Sequence, residues 1–88
     1  MRYRVELKAS AADALARVPK AHRQRIAKKI DRLADVPRPP GAKKLAGAES
    51  LYRIRVGGYR IIYQVNDDIL LVLVVRIGGR GDVYRHLT

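Results

Sequence analysis

The pattern of hydrophobic and polar positions predicts a strand and a short helix at the start of the chain. Residues 2–7, RYRVEL, alternate so that the tyrosine, the valine and the leucine share one side, which is typical of a half-buried strand. Ser10 and Asp13 resemble a capping box, which indicates a short helix that begins near Ser10 and continues to Val18.

A second helix is predicted over residues 20–35. Pro19 precedes it and suits the first turn of a helix, and Ile26, Ile30 and Leu33 have the spacing of a narrow apolar stripe. The polar side carries cations that we interpret as a stripe following a phosphate backbone; the alternative is an ordinary solvated helix face. The cations of this helix stripe are Arg25, Lys28, Lys29 and Arg32.

A β-hairpin follows an irregular connection. Residues 36–50, VPRPPGAKKLAGAES, contain the proline and glycine that end a helix and stiffen a crossing within one domain. Residues 51–56 and 59–66 alternate on either side of a Gly-Gly pair, which fixes the register of a two-residue hairpin turn. That register places Arg55 opposite Arg60.

The last part of the chain predicts more strands. Residues 69–77, ILLVLVVRI, form an almost continuous apolar run, typical of a central strand covered on both faces. Arg76 has the parity of Leu70, Val72 and Val74, and its register against Arg60 depends on whether the turn at residues 66–68 counts two or three residues. Gly78 and Gly79 are expected to end the strand, and residues 82–85 to form a last short strand or edge.

The order is therefore βααββββ, which predicts an α+β fold: a small antiparallel-rich sheet of about five strands with two N-terminal helices packed on one face. The expected organisation is a single domain over residues 1–88.

Three arginines of the hairpin project from the sheet face opposite the helices. Arg53, Arg55 and Arg60 share that face, and like charges directly opposite each other cost roughly 0.2–1 kcal/mol per pair. Side chains that break a local rule without visible compensation point to a functional site, here one for an external anion such as phosphate. Arg80 and Tyr84 join this face if their segment is extended.

Charge indicates the class of partner. The 19 Lys and Arg residues against eight Asp and Glu residues give a net charge of +11, which favours nucleic acid or an acidic protein as a partner. The alternative is a merely soluble basic protein. The absence of cysteine suits a reducing cytosol, and neither a signal-peptide region nor an apolar run long enough for a membrane is present, so a cytoplasmic protein is expected.

Conventional catalytic sets and metal-ligand spacings are missing, so no metal and no cofactor are expected. An arginine-rich cleft can still cleave RNA, because the ribose 2′-hydroxyl supplies the nucleophile. The protein must align the phosphodiester, neutralise the pentavalent phosphate and move protons. Tyr84 is the candidate proton acceptor if neighbouring cations depress its pKa, with His86 as the alternative. His22 is interpreted as a helix-edge residue.

The sequence from residue 43 to residue 85 resembles the RelE/ParE superfamily of type II toxins, and within it the RelE branch. The resemblance rests on KKLAG, YRIRVGGYRIIYQV, an apolar strand and IGGRGDVYR in this order and spacing. It implies a ribosome-dependent, metal-independent endonuclease that cleaves messenger RNA in the ribosomal A site and is silenced by a cognate antitoxin.

The resemblance also implies roles for individual residues. Tyr84 would deprotonate the 2′-hydroxyl or stack on a base, Arg60 would hold the scissile phosphate, and Arg80 would stabilise the transition state and protonate the leaving oxygen. Arg53 and Arg55 would hold flanking phosphates. Relatives often carry lysines at these two positions, and an arginine is a poor base, so the proton-transfer role moves to Tyr84. The surface docking on ribosomal RNA would be the helix stripe with Lys43 and Lys44.

Two rival functions remain open. A ParE-like toxin that poisons DNA gyrase would share the scaffold without a catalytic face, and the retained Arg80 and Tyr84 argue against it. A non-catalytic basic RNA-binding module would need neither residue for activity.

Overall fold

The structure is a computed structural model that describes residues 2–47 and 50–79. The described elements are, in chain order, one strand, two helices and four further strands. They are β1 (Arg4–Leu7), α1 (Ala9–Ala16), α2 (Lys20–Arg32), β2 (Lys43–Lys44), β3 (Leu51–Val56), β4 (Tyr59–Asn66) and β5 (Leu71–Gly79).

The strands form one five-stranded sheet in the order β1-β5-β4-β3-β2. β1 pairs in parallel with β5, and the other three pairings are antiparallel. The chain crosses from β1 at one edge to β2 at the other through both helices, which therefore cover one face. The predicted α+β fold and the antiparallel-rich sheet are confirmed.

The main core lies between the helices and the sheet. Ile26, Ile30 and Leu33 supply the apolar stripe of α2 and are buried, as the spacing predicts. Facing them from the sheet are Ile54, Ile61, Tyr63, Val65, Val72, Val74 and Ile77. In the described ranges, no helix is both long and apolar enough to cross a membrane.

The helix boundaries differ from the prediction. Lys8 is the N-cap of α1 and makes no side-chain capping hydrogen bond, so the capping-box interpretation is wrong and Ser10 lies in the first turn of the helix. The second helix begins after Pro19, as expected, but ends at Arg32 with Leu33 as its C-cap rather than at residue 35.

The strands also differ from the prediction. β2 lies in the connection that was expected to be irregular, where Lys43 pairs with Arg53. The apolar run enters the sheet only at Leu71, because Leu70 has a φ of 52° in the preceding turn. Gly78 and Gly79 do not break the strand before Gly78 but pair with Arg60 and Tyr59 as its last two described residues. The strand predicted at residues 82–85 lies outside the described residues.

A β-bulge interrupts the pairing of β4 with β5. Tyr63 pairs with Val74 and the preceding Ile62 pairs with Arg76, so Val75 is an extra residue without a partner on β4. An extra residue reverses which face the following side chains occupy. Arg76 therefore leaves the core side, and Ile77 takes the position opposite Ile61.

A polar cluster ties the proline-rich connection to the turn between β4 and β5. Arg38 forms an ion pair with Asp67, with 2.8 Å between Nη2 and Oδ2, and its Nε donates to the Tyr52 hydroxyl at 2.9 Å. The Tyr3 hydroxyl donates to Asp67 Oδ1 at 2.6 Å. The hydrogen bonds from Arg38 and Tyr3 hold the pKa of Asp67 below its usual value. Together these contacts fasten one end of the sheet.

Candidate functional site

The hairpin places three of the predicted site arginines on one sheet face. Arg55 pairs with Arg60, and Arg53 pairs with Ile62, in the register that the Gly-Gly turn predicts. Because directly opposite residues of an antiparallel pair point to the same side, all three side chains lie on the face opposite the helices. We call this surface, formed by Arg53, Arg55 and Arg60, the arginine face.

Gly57 allows the turn that sets this register. Its φ of +59° is in the left-handed region that favours glycine. A Cβ at this position would lie 3.8 Å from Arg25 Nη1, so a cation of the helix stripe reaches the hairpin turn. The hairpin turn and α2 therefore lie close together at this point.

Two adjoining cavities run along the free edge of β3. One, of about 250 Å³, is lined by Lys29, Pro40, Gly41, Lys43, Arg53, Ile54 and Arg55. The other, of about 340 Å³, is lined by Arg25, Lys28, Lys29, Arg32, Arg55, Val56 and Gly57. They share Lys29 and Arg55, and we call them together the edge groove.

The edge groove forms because β2 is short. Its two residues pair only with Arg53 and Tyr52, so β3 beyond Arg53 has no described strand on its outer side. Helix α2 and the turn at Gly41 line the opening. Lys44 pairs with Tyr52 and lines neither cavity, so the structure does not bring it to the other predicted RNA-binding residues.

The electrostatics of the edge groove suit a polyanion. All four predicted cations of the helix stripe line it together with Lys43, Arg53 and Arg55, and no described carboxylate does. Three ion pairs lie outside the edge groove: Arg2 with Asp35, Arg4 with Glu6, and Arg38 with Asp67. A larger cavity of about 450 Å³ beside α2 is less suited, since its lining includes Asp35 and the apolar Leu33, Val36 and Pro39.

Arg76 also reaches the arginine face, which the pattern of the sequence did not predict. It pairs with Ile62 on β4, and Ile62 in turn pairs with Arg53 on β3. The sequence nevertheless holds a clue to this position. With regular pairing the guanidinium of Arg76 would be buried opposite Ile61, and an unpaired charge is rarely buried because the desolvation free energy is high.

The described tyrosines pack in or against the core. Tyr63 is completely buried, stacks on Tyr52 with ring centroids 5.9 Å apart and donates to the Pro37 carbonyl. Burial raises the pKa of Tyr63 to about 12, and the hydrogen bond to Asp67 raises the pKa of Tyr3. Both shifts oppose a role as proton acceptor.

The remaining predicted site residues, Arg80 and Tyr84, lie outside the described residues, as does His86. His22 is exposed on α2, with its ring 5.6 Å from that of Tyr59.

Comparison with known proteins identifies relatives over almost the whole chain. The family model described as ParE toxin of type II toxin-antitoxin system, parDE, matches residues 5–84. A RelE-like toxin protein of Escherichia coli is 40% identical over 88 residues, covering 96% of this chain and 92% of that protein. The mRNA interferase toxin RelE of Escherichia coli strain K12 is 36% identical over 66 residues, covering 70% of this chain and 68% of that protein.

Solved structures have the same architecture. The toxin chain in the crystal structure of the archaeal RelE-RelB complex from Pyrococcus horikoshii OT3 superimposes with a TM-score of 0.82 and 35% sequence identity. The match covers 94% of this chain and 100% of that one.

Proposed function

The chain belongs to the RelE-type branch of the RelE/ParE superfamily of type II toxins, and from this premise we propose that it is a ribosome-dependent endoribonuclease that cleaves messenger RNA in the ribosomal A site. A relative that matches over two thirds of its length is named an mRNA interferase. The structural observation that carries the proposal is the register that aligns Arg53, Arg55 and Arg60 on the sheet face opposite the helices.

The proposed reaction uses the 2′-hydroxyl of the message as the nucleophile. Its oxygen forms a bond to the adjacent phosphorus while the bond from phosphorus to the 5′-oxygen breaks, giving a 2′,3′-cyclic phosphate and a 5′-hydroxyl. Arg60 holds the scissile phosphate, and Arg53 and Arg55 hold its neighbours, since guanidinium groups bind phosphate oxygens in a bidentate manner. No metal takes part.

Proton transfer is assigned to residues that follow β5 in the sequence. Tyr84 accepts the proton of the 2′-hydroxyl, and Arg80 stabilises the pentavalent phosphate and protonates the leaving oxygen. The raised pKa values of Tyr3 and Tyr63 support this assignment by making those two tyrosines unsuitable.

The edge groove is proposed to dock on ribosomal RNA. It presents cations from α2 and from the first hairpin strand side by side. Arg55 lines the edge groove and also belongs to the arginine face, so a polyanion bound along β3 would continue into the catalytic face.

A cognate antitoxin is the proposed protein partner, and the cytoplasm the proposed compartment. Toxins of the same fold from Pyrococcus horikoshii and Escherichia coli have been solved in complex with RelB. With a net charge of +11 on this chain, an acidic antitoxin segment is expected.

Mapping transcript ends on programmed ribosomes tests the activity. We expect the full chain to cut within the A-site codon and to leave a 2′,3′-cyclic phosphate. Arg60→Ala, Arg80→Ala and Tyr84→Phe should each slow single-turnover cleavage by about 10²–10³-fold while ribosome binding survives, because each removes a group acting on the transition state. Arg17→Gln, at the exposed end of α1, is the matched control and should cleave normally.

Two outcomes would reject the proposal in favour of its rivals. Gyrase-DNA adducts without message cuts would indicate the ParE-like activity, which the description of the matching family model makes the second candidate. Ribosome or RNA binding without cleavage by the wild-type chain would indicate a non-catalytic module.

A further inference from the structure

The bulge at Val75 changes the sheet face on which Arg76 lies. The family resemblance gives this arginine no role in the site. With regular pairing, Arg76 would lie opposite Ile61, which is completely buried in the helix-side core. The extra residue places Arg76 opposite Ile62 instead. Bulges are enriched next to active sites, where they re-aim a side chain.

Arg76 completes a row across the three central strands. Arg53 on β3, Ile62 on β4 and Arg76 on β5 lie side by side. With neighbouring strands about 4.8 Å apart, the Cα atoms of the two arginines are separated by about 9–10 Å. Arg60 lies two residues before Ile62 on the middle strand, about 7 Å along it. The three arginines therefore occupy backbone positions on three sides of Ile62.

Ile62 shows how tightly this part of the arginine face is covered. Its side chain is completely buried, although it is on the opposite side of the sheet from the helices and is not part of the main core cluster. Arginines commonly lay their methylene stems over apolar surface while directing the guanidinium outward. Such packing would hold the guanidinium groups in place around one point before a ligand binds.

Among the described residues, the Nε atom of Arg76 has no hydrogen-bond acceptor. This atom is buried, and no ion pair within residues 2–47 and 50–79 involves Arg76. Buried donors normally have an acceptor, so a native exception calls for an explanation. A donor on the same face as three other arginines, in a fixed fork geometry, suits an anionic oxygen.

We propose that Arg76 binds a backbone phosphate of the message, forming a phosphate subsite on the β5 side of Ile62, across from Arg53. This inference rests on the proposed nuclease function and adds a binding residue to it. The ligand class is the phosphodiester of single-stranded RNA. The subsite lies across the arginine face from the edge groove, so it would hold the strand on the far side of the scissile phosphate held by Arg60.

A double-mutant cycle between Arg76 and individual phosphates tests the proposal. Ribosomes are programmed with messages whose A-site riboses carry 2′-O-methyl groups, which prevents cleavage, and single phosphates are replaced by neutral methylphosphonates. We expect Arg76→Gln to weaken binding to the fully charged message about tenfold, the scale of a hydrogen bond to a charged group. A methylphosphonate at one particular position should weaken binding of the wild type by a similar factor and should not weaken binding of Arg76→Gln further.

Matched variants separate a phosphate contact from a structural role. Arg17→Gln removes the same charge from the exposed end of α1 and should show additive effects at every phosphate. Arg76→Lys keeps the charge and much of the stem, and should restore part of the affinity and of the coupling at that same phosphate. Thermal unfolding checks that each variant is folded. If Arg76→Gln does not fold, the double-mutant cycle is measured with Arg76→Lys, and the coupling energy at that same phosphate should be smaller than in the wild type.

Other results would overturn the inference in distinguishable ways. Tight binding and normal cleavage by the wild type, with no coupling between Arg76 and any phosphate, would leave the nuclease standing and reduce Arg76 to a cover for Ile62. Failure of the wild type to bind or cut programmed ribosomes would reject the nuclease and the subsite together.

Discussion

A single carboxylate, Asp67, joins three separate parts of the chain. It accepts hydrogen bonds from Arg38 in the proline-rich connection and from Tyr3 just before β1, and it lies itself in the turn between β4 and β5. The same hydrogen bonds lower its pKa. Because a lowered pKa means that the folded state prefers the ionised form, Asp67 stabilises the fold above the usual carboxyl pKa of about 3.9.

Asp67→Asn should therefore change how stability depends on pH. The wild-type contribution is present above about pH 4 and is lost as pH falls through the lowered pKa of the folded state. We expect the variant to be less stable at pH 7 and to lose less stability on acidification. Denaturant unfolding between pH 7 and pH 3 measures both. Asp68→Asn is the control, and equal pH profiles for the two variants would contradict the assignment.

At the scale of elements, the hairpin combines a structural cost with a proposed function. Arg55 and Arg60 are directly opposite each other, and like charges in this arrangement weaken a sheet. The same pairing puts both guanidinium groups on the proposed phosphate-binding face. Stability and activity should therefore respond in opposite directions when one of the charges is removed.

Arg55→Thr should raise the free energy of unfolding and lower the rate of message cleavage. The gain in stability should be about 0.2–1 kcal/mol, from relief of repulsion and from the strand propensity of threonine. Gln64→Thr, on the same strand face but without a charged partner, measures the propensity contribution alone. A loss of stability in Arg55→Thr would show that Arg55 holds the hairpin together.

The sequence was informative wherever local periodicity and turn chemistry decide the structure. The register from Arg53 to Arg60 follows from alternation and a glycine turn, and the structure has that register. The strand β2 could not be predicted, because two residues between proline and glycine have no periodicity. The register of Arg76 could not be predicted, because it depends on a β-bulge, and a bulge depends on how the whole sheet pairs. The edge groove depends on how α2 packs, which pattern alone does not give.

At the scale of the whole molecule, two adjoining surfaces of the described residues concentrate positive charge. The edge groove extends along α2 and the outer side of β3, and the arginine face extends across β3 and β4. They meet at Arg55. A basic surface of this extent should make binding to ribosomes strongly dependent on salt, because bound phosphates release counterions.

Neutralising part of the edge groove should reduce that salt dependence. For the double variant Lys28→Gln and Arg32→Gln we expect weaker ribosome binding and a log–log salt slope smaller by about 1.5, since each lost phosphate contact is worth roughly 0.7–0.9. The double variant Lys8→Gln and Arg17→Gln removes the same net charge from the two ends of α1 and is the control. Identical slopes for the two double variants would show that α2 does not contact RNA.

The extra residue Val75 shifts the alternation of side chains along β5 by one position. Up to Val74 the even-numbered positions face the helices, and from Arg76 onward the odd-numbered positions do. Because Val75 is itself the extra residue, deleting it would leave Arg76 opposite Ile62 and Ile77 opposite Ile61, and both side chains would keep their faces. Regular pairing with Val75 retained would instead move Arg76 opposite Ile61 and Ile77 opposite Arg60, sending a cation inward and an aliphatic side chain outward.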